Sequence, residues 1–420
     1  MVNALTTSGS GAVPISQSRL FPSPDAVAAP KDGSADLPAA TGPAPLLGRD
    51  TKSVVNGGAR SWKWTALEHL RKLHRGSRPS RCMRIRSFET RKTNQGISVI
   101  VNEGKARFRG LVACGSVWEC PVCAERIASH RQKELQKIRD AWMKKGGRVF
   151  FVSYTVPHVA SARLHETFRK LSEVDRKVKQ DTAYRKMFKA WGCVGGVFNH
   201  EATYGGNGWH PHRHGLLFVM DKSVTAQDIQ KALAAIWIRK LAAFGLSDLK
   251  LEDAFRYGIK VTDSSERITE YATKYGRLPK WDETKEVSLT VLKKGHGESV
   301  SPWGLLNMSM KGDINAGDLF IEYAVTMQGR RQLVMTPGLR AKVGLLDEDV
   351  TDEQAANEEP EGGEVVTVLT PSEWDDVCSA GLRGEVLEAA ALLGASGVRA
   401  VVAEAQLRRR TSARCSGFSI

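Results

Sequence analysis

Three histidines stand at alternate positions in Gly208-Trp209-His210-Pro211-His212-Arg213-His214. On a β-strand, residues i and i+2 face the same way, so His212 and His214 project side by side. Two imidazoles fixed on a rigid strand make half of a divalent-metal site. His210 is in register with them unless Pro211 breaks the strand. Glu201 lies upstream, across Gly205-Gly206-Asn207-Gly208, whose composition predicts a hairpin turn. A carboxylate opposite the pair completes a three-ligand site with open positions, and the third ligand is either Glu201 or His210. Two nitrogens plus an oxygen, left open, suit Mg²⁺ or Mn²⁺ on a phosphate. The plain alternative is a set of surface histidines at a strand end. Three of the ten histidines within five residues, beside a carboxylate strand, argue against it.

Cys114-x5-Cys120-Pro121-Val122-Cys123 is a second constellation. Cys-x2-Cys lets two thiolates from one tight turn meet a tetrahedral Zn²⁺, and Cys114 is close enough to be the third ligand. A closed site needs a fourth. Cys82, in Arg81-Cys82-Met83, is the expected ligand, with His130 as its substitute. The competing reading is a redox dithiol or buried free thiols. Three cysteines within ten residues favour a structural zinc that braces a small basic module. Cys193, Cys378 and Cys415 have no partners by spacing.

Ile268-Thr269-Glu270-Tyr271-Ala272-Thr273-Lys274-Tyr275-Gly276 reads as a short helix stopped by a glycine. Tyr271, Lys274 and Tyr275 share one of its faces. A tyrosine hydroxyl can attack a phosphodiester, and a nearby lysine stabilises the developing charge. Taken alone, most such patterns are amphipathic helices with a lysine reaching to solvent. The weight here comes from chain order, a histidine pair first and a tyrosine helix roughly 55 residues later.

The elements that must position these groups follow from periodicity. Helices are expected near 64–73, 124–142, 162–178 and 225–241, the last opened by a Thr225-x-x-Asp228 capping box. Strands are expected over 148–157, 194–204 and 212–220. Helices and strands mixed around a central hairpin imply an α+β fold rather than a doubly wound one.

Composition bounds the partners. The chain has 420 residues and a net charge of +15, with a pI near 9.5. Residues 347–364 hold nine acidic residues and no Lys or Arg, which leaves +24 on the remainder. A body this basic points to nucleic acid. No run of about 18 uncharged apolar residues exists, so no membrane span is expected, and no secretory signal is legible. A cytoplasmic protein is the expectation. The expected organisation is a disordered leader (1–58), a basic cysteine module (59–145), a catalytic domain (146–345), an acidic linker (346–364) and a small C-terminal appendage (365–420).

Together these residues resemble the rolling-circle plasmid replication initiators, the Rep proteins of the HUH endonuclease superfamily, over about residues 80–345. Phe150 to Tyr154, then Thr155-Val156-Pro157-His158, resembles the family's first motif. Glu201-Ala-Thr-Tyr-Gly with Gly208-Trp-His-Pro-His212-Arg-His214 resembles its metal motif, and Tyr271-Ala-Thr-Lys274 its nucleophile motif. Ser301-Pro302-Trp303, Lys311-Gly312-Asp313, Glu322-Tyr323 and Gly329-Arg330-Arg331 look like the tract that follows in actinobacterial-type initiators. The resemblance implies a central antiparallel sheet with flanking helices, preceded by the cysteine module. It implies metal-dependent nicking at the plasmid's double-strand origin through a 5′-phosphotyrosine, with rejoining at termination. It implies DNA contacts at Arg330 and Arg331, and a host helicase and DNA polymerase as partners, since no Gly-x4-Gly-Lys-Ser/Thr loop is present.

Two features depart from the family pattern. The position between the histidines is usually apolar, and here it is Arg213, on the opposite sheet face, where it could meet DNA. Tyr271-x3-Tyr275 resembles the paired tyrosines of phage-type initiators. Tyr271 is the expected nucleophile because Lys274 follows it at +3; with Tyr275 inert, a carboxylate such as Glu270 or Glu266 would activate water at termination. Two other readings stand beside this one: a two-tyrosine transposase, and a non-catalytic zinc-containing DNA-binding regulator.

Overall fold

The computed structural model describes residues 57–245, 250–263, 299–345, 350–359 and 361–416. Tyr271, Lys274 and Tyr275 lie outside the described residues, as do Glu266, Glu270 and nearly all of the expected leader. The chain runs α1 (Gly57–Leu73), α2 (Phe88–Lys92), β1 (Ile97–Asn102), β2 (Lys105–Arg109), α3 (Pro121–Lys144), β3 (Arg148–Thr155), α4 (Leu164–Gln180) and α5 (Thr182–Ala190). The hairpin β4 (Gly195–Gly205) and β5 (Gly208–Val219) follows, then α6 (Ala226–Ala242), α7 (Leu251–Asp253) and β6 (Ile259–Asp263). Beyond residue 299 come α8 (Pro302–Met310), α9 (Ile314–Met327), β7 (Leu333–Met335), α10 (Leu339–Val343), α11 (Asp352–Asn357), β8 (Glu364–Leu369), α12 (Pro371–Ala380) and α13 (Arg383–Ser416).

The class is α+β, as expected. One antiparallel sheet has five strands in the order β6-β3-β5-β4-β7, and a second has three in the order β2-β1-β8. β5 is central in the larger sheet and buried on both faces. This explains the unbroken apolar run Leu216–Leu217–Phe218–Val219. Leu217 and Val219 join Phe150, Val152 and Phe198 against α4 and α6. Leu216 and Phe218 join Val149 and Val197 against Leu135, Ile138 and Trp142 of α3. Trp237 of α6 is fully buried and donates its indole N–H to the Thr155 carbonyl at 3.1 Å, tying that helix to the end of β3. Truncating a side chain of this kind to Ala costs about 3–5 kcal/mol.

Pro211 does not break the strand. β5 continues through it, pairing Pro211 with Ala202, while β3 ends opposite His212. On the β3 side, Pro211 therefore stands at a free edge, where a strand tolerates a residue without an N–H.

The expected boundaries after residue 345 need correction. β8 pairs with β1 across more than 260 residues, and α12 and α13 share one core with α1 and the cysteines. The acidic stretch is not a free linker: α11 packs on α3, its Ala355 and Ala356 are buried, and Asp352 holds the buried Arg131 at 2.7 Å. The expected appendage therefore shares a core with α1 and the four cysteines. By length and composition Arg383–Thr411 is apolar enough to cross a membrane. Its backbone breaks at Gly394, however, and Val386, Ala390, Val398 and Val402 lie in that shared core.

Candidate functional site

The hairpin sets the register. Gly205 pairs with Gly208 around a two-residue turn, so Glu201 falls directly opposite His212, and Asn199 opposite His214. On the other side of β5, β3 places Thr155 opposite His212 and Ser153 opposite His214. Directly paired residues share a sheet face, so Glu201, His212, His214 and Ser153 converge. His212 Nε2 lies 2.8 Å and His214 Nε2 2.9 Å from the same oxygen, Glu201 Oε2. These three side chains could hold a metal ion, each offering one ligand atom.

The outer nitrogens are fixed by neighbours. His212 Nδ1–H donates to the His210 carbonyl at 3.1 Å, and His214 Nδ1 lies 2.8 Å from Ser153 Oγ. A carbonyl only accepts, so His212 points an Nδ1 proton at the His210 carbonyl, and Nε2 is the nitrogen that faces Glu201. Anchoring the far ring nitrogen in this way is how metal-binding histidines are oriented. Phe151 stacks on the His214 ring, with centroids 5.0 Å apart. Burial would raise the Glu201 carboxyl, but the hydrogen bonds and charges of His212 and His214 outweigh it and hold it at about 2. Glu201 Oε1 is buried and has no hydrogen-bond partner among the described residues.

His210 stands apart from this trio. It is opposite Thr203, with its ring 5.2 Å from that of His212 and 5.0 Å from that of His158. Burial first, and the neighbouring histidines second, push it down to about 3. The converging third donor is therefore Glu201, and His210 pairs with His158 beside the site. Ser153 was missed by sequence reasoning, although strand alternation with Thr155 puts it on this face.

Arg213 occupies the opposite face and is buried. Its guanidinium donates to Asp175 of α4, which also holds Lys179 at 2.9 Å. Both cations lie over the Phe198 ring, Lys179 at 4.0 Å and Arg213 at 4.6 Å from its centroid. The expected DNA contact of Arg213 is thus corrected. The side chain lies in the interior between sheet and helix, and its charge is met by Asp175.

The four expected cysteines also meet. Cys82, Cys114, Cys120 and Cys123 are buried, and their sulfurs lie within 4.8 Å of one another. The Cys82–Cys123 and Cys114–Cys123 sulfur separations are 3.4 and 3.6 Å. A disulfide needs about 2.0 Å, whereas the edge of a tetrahedron with metal–sulfur bonds of about 2.3 Å is about 3.8 Å. Hydrogen bonds from the other three thiols draw Cys123 well below its ordinary value. His130 is not a ligand; its Nδ1 lies 2.8 Å from Glu358 Oε2. Arg383, 1% exposed, donates to the carbonyls of Cys82 and Met83 at 2.9 Å each and to Glu68 at 2.6 Å.

Arg330 is half-buried, with its guanidinium 4.5 Å from the Phe168 ring centroid, and its carbonyl accepts the Trp118 indole N–H at 2.7 Å. Arg331 is exposed. Trp118 sits between the two cysteine pairs in sequence and packs on Tyr323, which stacks on Trp209 at the start of β5. An aromatic chain therefore links the cysteine loop to the histidine strand.

No protein-family model matches this chain, and no solved structure does. Among curated proteins, the chain is similar to one named "Protein rep" from Streptomyces lividans. The two are 24% identical over 318 residues, covering 60% of this chain and 67% of that protein. It is also similar to one named "Neomycin resistance protein" from Streptomyces cyanogenus, 28% identical over 141 residues, covering 28% of this chain and 32% of that protein. The likeness to Protein rep bears out the resemblance to Rep proteins.

Proposed function

We propose that this chain initiates plasmid replication by nicking one strand of origin DNA, with a tyrosine as nucleophile. The observation that carries this reading is the convergence of His212 Nε2 and His214 Nε2 on Glu201 Oε2, with both outer nitrogens anchored. The likeness to Protein rep supports the biological setting.

Glu201, His212 and His214 would hold Mg²⁺ or Mn²⁺, which when bound polarises the scissile phosphate. The chain supplies the rest. Ser153 and the His210 carbonyl keep the imidazoles aimed. Tyr271 attacks phosphorus, forming a Tyr–O–P bond as the P–O3′ bond breaks, so the 5′ end stays on the protein and a 3′-OH is released. Lys274, at +3 from Tyr271, stabilises the charge on the phosphate and lowers the cost of losing the tyrosine proton. The released 3′-OH would prime synthesis by a host polymerase behind a host helicase, in the cytoplasm. A second cleavage with rejoining would end the round. The four cysteines would hold Zn²⁺ in a closed, structural site.

The Tyr271-x3-Tyr275 spacing favours one second reading, a paired-tyrosine enzyme of the transposase type. The test is a covalent-adduct assay. Protein and a single-stranded oligonucleotide from its own origin are incubated with Mn²⁺, denatured, and the modified peptide is mapped. An adduct on Tyr271 is expected. An adduct on Tyr275, or on both, selects the paired-tyrosine reading. No adduct from protein shown to bind that DNA overturns the nuclease.

A further inference from the structure

Helix α3 leaves the cysteine cluster carrying a basic stripe. Arg126, His130, Lys133 and Lys137 fall at i, i+4, i+7 and i+11, one side of a 3.6-residue helix. The opposite side, with Leu135, Ile138 and Trp142, packs on the larger sheet. The stripe lines a groove of about 780 Å³, into which Arg107 of β2, Lys63 of α1 and Arg340 of α10 also turn. Four separate elements thus bring cations to one concavity. Buried apolar side chains, Trp64, Phe108 and Val122, complete the lining.

The three carboxylates of the groove are already engaged. Glu125 pairs with Lys63, Glu358 with His130, and the buried Glu134 with Arg131 and Arg340. Arg126 donates to the Ala356 carbonyl at 3.1 Å and Arg107 to the Gly362 carbonyl at 2.5 Å, acceptors that carry no charge. Lys133 and Lys137 stand exposed. The stripe therefore keeps a net positive charge along about three turns of a helix pinned at its start by Cys120 and Cys123.

We propose that this groove binds the phosphate backbone of duplex DNA flanking the cleavage site, as a second contact surface separate from the Glu201–His212–His214 centre. The proposal rests on the nuclease reading for the identity of the DNA. Lys133 and Lys137, exposed one helical turn apart above a concavity that Arg126, Arg107, Lys63 and Arg340 also line, suit a polyanion. The sheet-facing side of α3 packs on Leu216 and Phe218, two and four residues beyond His214 on β5, whereas the stripe lies on its other side. The groove lining contains none of Glu201, His212 and His214, so DNA held there would be a stretch other than the one at the metal centre.

The test uses full-length protein with Lys133→Gln and Lys137→Gln combined, both at exposed positions. Binding is measured by fluorescence anisotropy at several salt concentrations. One probe is a duplex with long flanks around the nick site, and the other a short single strand covering that site alone. The wild-type salt slope for the duplex should fall by about 0.9 per lost phosphate contact, and duplex affinity by about tenfold or more. Binding and cleavage of the short strand should be unchanged. An unchanged duplex slope overturns the proposal, as does an equal loss on both probes. Altered binding of poly-glutamate with unaltered duplex binding would overturn it too, in favour of an acidic polypeptide. If wild type cleaves neither probe, the nuclease reading fails, while the duplex slope still decides the groove.

Discussion

Arg213 and Asp175 form a buried ion pair on the sheet face opposite the two histidines that flank Arg213 in the chain. The pair fastens the middle of β5 to α4, directly behind His212 and His214. Removing one partner of a buried pair strands the other charge, at a cost of about 3–5 kcal/mol. Lys179 remains on Asp175 and softens that loss. Arg213→Met should therefore destabilise the protein by about 3 kcal/mol, and Arg213→Met with Asp175→Leu should recover much of it. Denaturant midpoints of the three proteins measure this, and a wild-type midpoint for Arg213→Met would show the pair to be idle.

The metal trio predicts an ordered series of affinities. His214→Ala and Glu201→Ala each delete a converging donor and should remove Mn²⁺ binding at micromolar ion. Ser153→Ala deletes only the anchor of His214 Nδ1 and should weaken binding about 10–100-fold. His210→Ala should leave binding near wild type, because His210 stands outside the trio. Titration followed by the Mn²⁺ spin resonance signal ranks them. If His210→Ala abolishes binding while Glu201→Ala keeps it, the third ligand has been misassigned.

Much of this centre was legible by counting. Period-two alternation joined His212 to His214. A two-residue turn at Gly206–Asn207 then fixes Glu201 opposite His212 by arithmetic alone. Ligand spacing singles out Cys114, Cys120 and Cys123, but it does not by itself decide between Cys82 and His130 for the fourth position. The fate of Arg213 was not legible, because a charge inside a strand reads as solvated unless its partner is known, and Asp175 sits on a separate helix. The role of residues 364–416 was equally hidden. Strand pairing between β1 and β8 leaves no local trace, and the acidic run before β8 looks like a linker until Arg131 is seen bound to Asp352. The tyrosine pair is known here from sequence spacing alone.

Arg383 ties the C-terminal helix to the cysteine cluster through the carbonyls of Cys82 and Met83. Met83 adopts a left-handed φ of 51°, so this ligand loop is held in a conformation that few side chains choose. Arg383→Met leaves two carbonyls without this donor, each worth about 1–3 kcal/mol if buried unpaired. Metal release to a chromogenic chelator should be faster in Arg383→Met than in wild type, and Cys82→Ser should hold less than one ion per chain. Equal release rates for Arg383→Met and wild type would separate the C-terminal helix from the cluster.

Gly215 follows His214 and faces the Arg213 side of the sheet, paired with Val152 on one strand and Phe198 on the other. A Cβ there would meet the Phe198 ring at 2.5 Å and Val152 Cγ1 at 3.2 Å. The ring cannot retreat freely, because Lys179 and Arg213 lie over it. Gly215→Ala should therefore cost about 1–3 kcal/mol by overpacking, and should weaken Mn²⁺ binding by shifting His214 beside it. Adding Phe198→Leu makes room for the methyl and should restore part of both. If Gly215→Ala lowers stability but leaves Mn²⁺ affinity unchanged, packing behind the strand does not set the position of His214.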